Sequence, residues 1–333
     1  MTALLVAVLP PVDAAAASQA EIVEVKKIWD AGSHNAFTDL IWWQDQWWCT
    51  FREADGHVGG DGAIRILASR DGVTWKSEAA LTEKGVDLRD PKFSVTPKGQ
   101  LMLNCGGSIY EGKTLKGRRS RVMFSADGRS WSAPQKILKE GEWCWRVTWH
   151  EGTAYSAVYR SVGSSQTPGP EWGLVLYRSK DGVTWDLMKE MEVKRRPNET
   201  TLRFEPNGEM IALVRREAED TMGYIGRAKA PYTEWTWQTS NHRFGGQNFI
   251  KAPDGRWIVG TRDYSNAKKG TFVGAKTILA ELESSGGLRV LATFPSGGDT
   301  SYPGMVWRDG QLAFAYYSSH EGKSAIYFAR VKL

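Results

Sequence analysis

The sequence predicts an all-β protein, a six-bladed β-propeller of four-stranded antiparallel blades whose ring is closed by the N-terminal strand. Three observations carry this. Short alternating apolar runs broken by Gly, Asp, Asn and Pro fill the 333 residues, and long apolar stretches at helical spacing are scarce. A Ser-x-Asp-Gly-x-x-Trp pattern recurs at Ser69–Trp75, Ser125–Trp131 and Ser179–Trp185, with the tryptophans 56 and 54 residues apart. A second turn series, at Gly99, Gly152, Gly208, Gly255 and Gly310, runs at intervals of 53, 56, 47 and 55 residues.

Each unit reads strand, glycine turn, strand, loop, strand, Asp-Gly hairpin, strand. A fourth, decayed hairpin copy is Ala228–Trp235, and Gln44-Asp45-Gln46 fills the glycine-turn slot of the first unit. The units open near His34, Arg89, Arg146, Asn198, Gly246 and Thr300. A lone four-stranded unit cannot cover both apolar faces, so units stack around an axis. The last unit offers only three strands, Met305–Trp307, Leu312–Tyr317 and Ala325–Val331. The orphan strand Glu21–Trp29 supplies the fourth and removes the open edges. Within the hairpins, Gly takes a backbone angle that other residues avoid, Ser and Asp bond the turn's backbone, and Trp packs between units. These loops offer too few carboxylates for Asp71, Asp127 or Asp181 to hold Ca²⁺.

Residues 1–20 read as a leader resembling a signal peptide, apolar and then rich in small residues, which points to a secreted or periplasmic protein. Residues 21–333 form the propeller. No other segment is long and apolar enough to span a bilayer, so no membrane partner is expected. Net charge is +5, which suits an anionic substrate and solubility equally well. The basic clusters at 116–121 and 194–196 are too short for a nucleic-acid-binding stripe. Cys49, Cys105 and Cys144 lie in strands and read as buried free thiols without metal-ligand spacing. No cofactor motif and no metal site is found, and a monomer is expected.

The unit openings are polar for innermost strands: His34-Asn35, Arg89-Asp90, Trp145-Arg146, Asn198-Glu199, Gln247-Asn248 and Asp299–Tyr302. Charges converging on an axis must pair or bind a ligand. They could pair among themselves, Arg89 with Asp90 and Glu199 with Arg215. His57 and His320 fall on loops at the same face, and with His34 they offer a general base near neutral pH. His150 and His242 read as turn and loop residues. Trp145 and Trp172 are candidates for stacking on a sugar, and the polar loop at 161–171 for rimming the site.

The hairpins match, in compressed form, the Asp-box pattern Ser-x-Asp-x-Gly-x-x-Trp. With six units, residues 21–333 resemble the sialidase (neuraminidase) superfamily. The resemblance implies a glycan substrate, three arginines holding its carboxylate, a Tyr–Glu nucleophile pair and an Asp acid/base. Carried over by position, Tyr302 is the nucleophile, Glu199 its base and Asp61 the acid/base. Arg215 and Arg262, with Arg89 or Arg146, form the anion clamp. At the first arginine's place stands His34, so a uronic acid or neutral sugar is as plausible a substrate as sialic acid. Three functions stay open: an exo-acting glycoside hydrolase, a uronate lyase using His34 or His57 with Tyr302, and a propeller that only binds glycans.

Overall fold

The computed structural model describes residues 19–163, 168–268 and 270–333. The leader at 1–18, and residues 164–167 of the expected rim loop, lie outside the described residues. All regular elements described are strands, and no helix is long and apolar enough to cross a membrane.

Six sheets form, five in sequence order from the axis outward and the sixth ending on the chain's first strand. The innermost strands are His34–Trp43, Asp87–Val95, the split pair Glu142–Cys144 and Thr148–His150, Pro197–Phe204, Asn248–Lys251 and Thr300–Arg308. In the sixth blade Ala325–Lys332 pairs antiparallel with Glu21–Trp29, which closes the ring as expected.

The local turn chemistry explains the repeat. Gly72, Gly128 and Gly182 have φ of 75°, 73° and 79°, the left-handed region that favours glycine. In the first hairpin the Asp71 carboxylate accepts from the Val73 and Thr74 amides at 2.7 and 2.8 Å, and Ser69 Oγ accepts from Gly72 N at 2.9 Å. Asp127 and Asp181 make the same bonds. The decayed copy keeps the tryptophan bond: Trp235 Nε1 donates to Tyr232 O, with Tyr232 at φ 67° where the others have glycine. A Cβ on Gly128 would meet the Trp48 ring of the preceding blade at 2.2 Å, so the hairpin glycine also permits close stacking of blades. Cys49, Cys105 and Cys144 are free and buried, and burial pushes each thiol up.

One irregularity matters for the site. Four innermost strands set two residues against one on their neighbour at the same position: Phe37-Thr38, Asp90-Pro91, Asn198-Glu199 and Tyr302-Pro303. Phe37, Asp90 and Tyr302 take φ of 67°, 53° and 56°. Such conformations cost roughly 1–3 kcal/mol each and persist only where the surroundings enforce them. Here they turn side chains out of the strand pleat and into the axial mouth.

Candidate active site

The bulged residues open onto a hollow of about 210 Å³. Phe37 and His57 of blade one line it, with Arg89, Asp90, Tyr110 and Arg118 of blade two. Trp143 and Tyr159 of blade three, Glu199 of blade four and Tyr302 of blade six complete the wall.

The centre is a buried triad. Tyr302 Oη donates to Glu199 Oε1 at 2.5 Å, although the residues are 103 apart in sequence. Arg215 Nη1 donates to Glu199 Oε2 at 2.8 Å and to Tyr302 Oη at 3.3 Å, and the Gly246 amide donates to Glu199 Oε2 at 2.8 Å. Burial, with Glu199 adding to it, holds the phenol well above its usual range, while Arg215 and Arg262 pull the other way. At rest the phenol is therefore neutral, with a carboxylate placed to take its proton.

The ring of Tyr302 is fixed on several sides. Phe37, Trp145 and Tyr317 pack on it with centroids 5.1, 5.4 and 5.7 Å away. The Lys92 ammonium lies 5.7 Å from its centroid and 4.7 Å from that of Trp145. This lysine is fully buried and donates to the carbonyls of Phe37, Thr38 and Pro91. Burial pushes it down to about 8, opposed chiefly by Asp39.

The other expected site residues divide. Arg89 lines the hollow with its guanidinium 5.2 Å from the Phe37 ring, and it pairs with Asp87 rather than Asp90. Arg262 stands behind the site: it donates to Thr300 O, Tyr264, Tyr317 and Asp299, with Cζ 5.6 Å from the Tyr302 ring centre. Its donors are engaged, so it orients the wall instead of offering a free fork. Arg146 is not a clamp residue either. It is buried in a two-pronged pair with Asp39, both contacts at 3.0 Å. Asp61 does not join the hollow. Its carboxylate accepts from the Gly85 amide at 3.0 Å, and it lines a separate surface pocket with Ser33 and Asp55. By Asp61 the loop has reached the segment that enters blade two, where the Leu88 amide donates to Gly62 O, and of this loop's two candidates His57, not Asp61, lines the hollow.

His34 and His57 both approach Asp299, at 3.5 and 2.8 Å. His320 bonds Ser318 and packs on Tyr327, away from the hollow. His150 stacks on Phe204 and His242 bonds Asn241. Trp145 is buried under Tyr302 and cannot meet a sugar, whereas Trp172 stacks on Tyr159 with centroids 5.6 Å apart.

Three contributors were given no site role by the sequence reading, although Asp90 and Asp299 stood among its polar openings. The Asp90 carboxyl has no hydrogen-bond partner among the described residues, and burial pushes it up, against Arg89 and Lys92. Arg118, from a basic run that looked unremarkable, packs its guanidinium 5.8 and 5.3 Å from the Trp143 and Tyr159 rings and adds positive charge to the wall. Asp299 is the anchor of both histidines. Of the three, only Asp90 takes the left-handed backbone that it shares with Phe37 and Tyr302, a signal visible only in the structure.

No family model matches this sequence, and no curated protein matches it. Among solved structures the chain superposes on a protein of unknown function from Dyadobacter fermentans DSM 18053 with a TM-score of 0.81 at 18% identity, covering 95% of this chain and 99% of that one. It also superposes on a mutant of Trypanosoma rangeli sialidase displaying trans-sialidase activity, with a TM-score of 0.71 at 13% identity over 95% of this chain and 60% of that one. A third match is the Penicillium chrysogenum α-L-arabinanase complexed with arabinobiose, with a TM-score of 0.70 at 13% identity over 92% and 98% of the two chains. At these identities the likeness is one of fold: the chain is a six-bladed propeller of the architecture those proteins share.

Proposed function

We propose that this protein is an exo-acting glycoside hydrolase for an acidic glycan, with Tyr302 as nucleophile and Glu199 as its base. The observation that carries the reading is the 2.5 Å hydrogen bond from Tyr302 Oη to Glu199 within the hollow. A neutral phenol suits attack on an anomeric carbon beside a carboxylate, because a carboxylate nucleophile would meet like charge there. Arg89, Arg118 and Arg215 supply positive charge around the mouth.

The steps balance. Tyr302 Oη bonds to the anomeric carbon as its proton passes to Glu199. The bond from that carbon to the leaving oxygen breaks, and Asp90 protonates the oxygen. Asp90 then deprotonates a water that attacks the anomeric carbon, and the freed Tyr302 recovers its proton from Glu199. Asp90 replaces Asp61 as acid because it lines the hollow and burial favours its protonated form.

The test is a panel of fluorogenic aryl glycosides, acidic and neutral, run beside uronate polysaccharides. An acidic aryl glycoside is expected to turn over. Asp90→Asn is expected to slow natural leaving groups by roughly 10²–10⁴-fold and activated aryl groups far less, and Asp61→Asn to keep full rate. An unsaturated, ultraviolet-absorbing product would mean elimination instead, and saturable binding without product would mean a glycan-binding propeller.

Lys92 gives a pH prediction. Below about 8 its ammonium faces the Tyr302 ring and disperses negative charge growing on the phenol oxygen; above, that charge is gone. The kcat/KM profile should therefore fall through an alkaline limb near 8, and Lys92→Met should flatten it. For stability the sign is opposite. Between about 8 and 10.5 the unfolded chain holds a proton that the folded chain has released, so this group makes stability rise with pH in that window. A wild-type activity profile flat across that range would remove Lys92 from the mechanism.

A further inference from the structure

His34 opens the innermost strand of blade one, His57 lies on the loop after that blade's second strand, and Asp299 lies on the turn leading to Tyr302. The fold brings a ligand atom from each within 4.8 Å of the others, and among the described residues no other group of three His, Cys, Asp or Glu is so arranged. Asp299 Oδ2 is 2.8 Å from His57 Nδ1 and 3.5 Å from His34 Nε2. Two bonds of about 2.0–2.1 Å at a tetrahedral angle set ligand atoms about 3.3 Å apart, between those two values.

The carboxylate is oriented from behind. Tyr317 Oη donates to Asp299 Oδ1 at 2.6 Å and Arg262 Nη2 at 3.3 Å, which turns Oδ2 toward both imidazoles. Outer partners of this kind are what hold a metal-binding carboxylate in place. An ordinary ion pair explains His57 but not His34. At 3.5 Å the Nε2 contact is too long for a good hydrogen bond, and Nδ1 is buried with no partner. The imidazole is aimed at a shared oxygen that it does not properly bond.

We propose that His34 Nε2, His57 Nδ1 and the Asp299 carboxylate bind one Zn²⁺-type divalent ion at the rim of the hollow, and that its open coordination positions take oxygens of the acidic substrate. Two imidazoles and one carboxylate suit a borderline transition metal, whereas Ca²⁺ and Mg²⁺ favour all-oxygen sets. His57 itself lines the hollow, which puts the cluster at the edge of the ligand space. His34 stands where the sialidase-like pattern has an arginine, and the ion returns positive charge to that place. This second half rests on the glycosidase reading; the metal site does not.

The experiment is calorimetric titration of chelator-treated full-length protein with Zn²⁺, paired with the visible spectrum of the Co²⁺ form. One equivalent should bind, with a low-symmetry Co²⁺ spectrum. His34→Ala and His57→Ala should each weaken binding by about tenfold or more, a loss that even an outer partner of a metal site carries. His320→Ala, a nearby histidine outside the cluster, should bind as wild type does, and melting curves of all three variants report their folding. Absence of saturable Zn²⁺ binding by wild type, or unchanged binding by both cluster variants, overturns the site. If Zn²⁺ binds yet leaves the KM of an acidic glycoside unchanged, the substrate half is overturned. If no glycoside turns over at all, the glycosidase reading fails while the metal titration stays readable.

Discussion

Tyr302→Phe is expected to abolish turnover of an acidic aryl glycoside while leaving the propeller folded. The phenol oxygen is the atom that bonds to the sugar, and loss of a catalytic nucleophile can reach roughly 10⁶-fold in rate. Glu199→Gln should cost roughly 10²–10⁴-fold, because the amide holds the same position but cannot take the phenolic proton. The two losses should not add: in the double variant the rate should fall no further than in Tyr302→Phe, since both side chains serve one proton transfer. The Tyr302 ring keeps its packing against Phe37, Trp145 and Tyr317 in the phenylalanine variant, so melting temperature should change little. Steady-state rates with thermal melts check this. Full turnover by either variant means that the Tyr302–Glu199 bond is structural, and the mechanism proposed above is wrong.

The second large effect is on stability. Asp39 and Arg146 are fully buried partners joining blades one and three, and Asp39 also accepts from the Phe93 amide of blade two at 2.8 Å. The buried Lys92 is held partly by the same carboxylate. Arg146→Met strands a buried carboxylate, and Asp39→Asn leaves two buried cations without their counter-charge. Each should cost about 3–5 kcal/mol, since removing one member of a buried pair leaves the other uncompensated. Combining Arg146→Met with Asp39→Asn should recover part of the loss, because only Lys92 is then left without its counter-charge. Urea midpoints for the four chains of this cycle give the coupling directly. A loss below about 1 kcal/mol for both single changes would show that water reaches the pair and that the ring is not tied through it.

The two predictions separate the axial charges into a catalytic set and a structural set, a division that the sequence does not display. Both Arg146 and Arg215 sit near a blade opening or the end of the next strand, and residue type cannot tell them apart. What distinguishes them is depth. Arg146 meets Asp39 below the bulges, and Arg215 meets Glu199 and Tyr302 at the level of the bulges.

By itself the sequence determined the number of blades, their boundaries to within a few residues, and the closure by Glu21–Trp29. It could do so because each blade turn is written within a few residues: a glycine at positive φ, an Asp accepting amides two and three residues on, a Trp bonding back three. Local chemistry repeats in the sequence as often as it repeats in space. The pairing of Tyr302 with Glu199 was legible only through resemblance to a known family. Only the tertiary structure decided that Arg146 is buried with Asp39, that Asp61 faces a different pocket, that Asp90 stands in the hollow, and that Asp299 gathers two histidines. These contacts span 107 residues for Asp39–Arg146 and 242 for His57–Asp299. They depend on bulges that turn Phe37, Asp90 and Tyr302 away from the regular pleat, and an alternating apolar pattern carries no record of where a strand takes an extra residue.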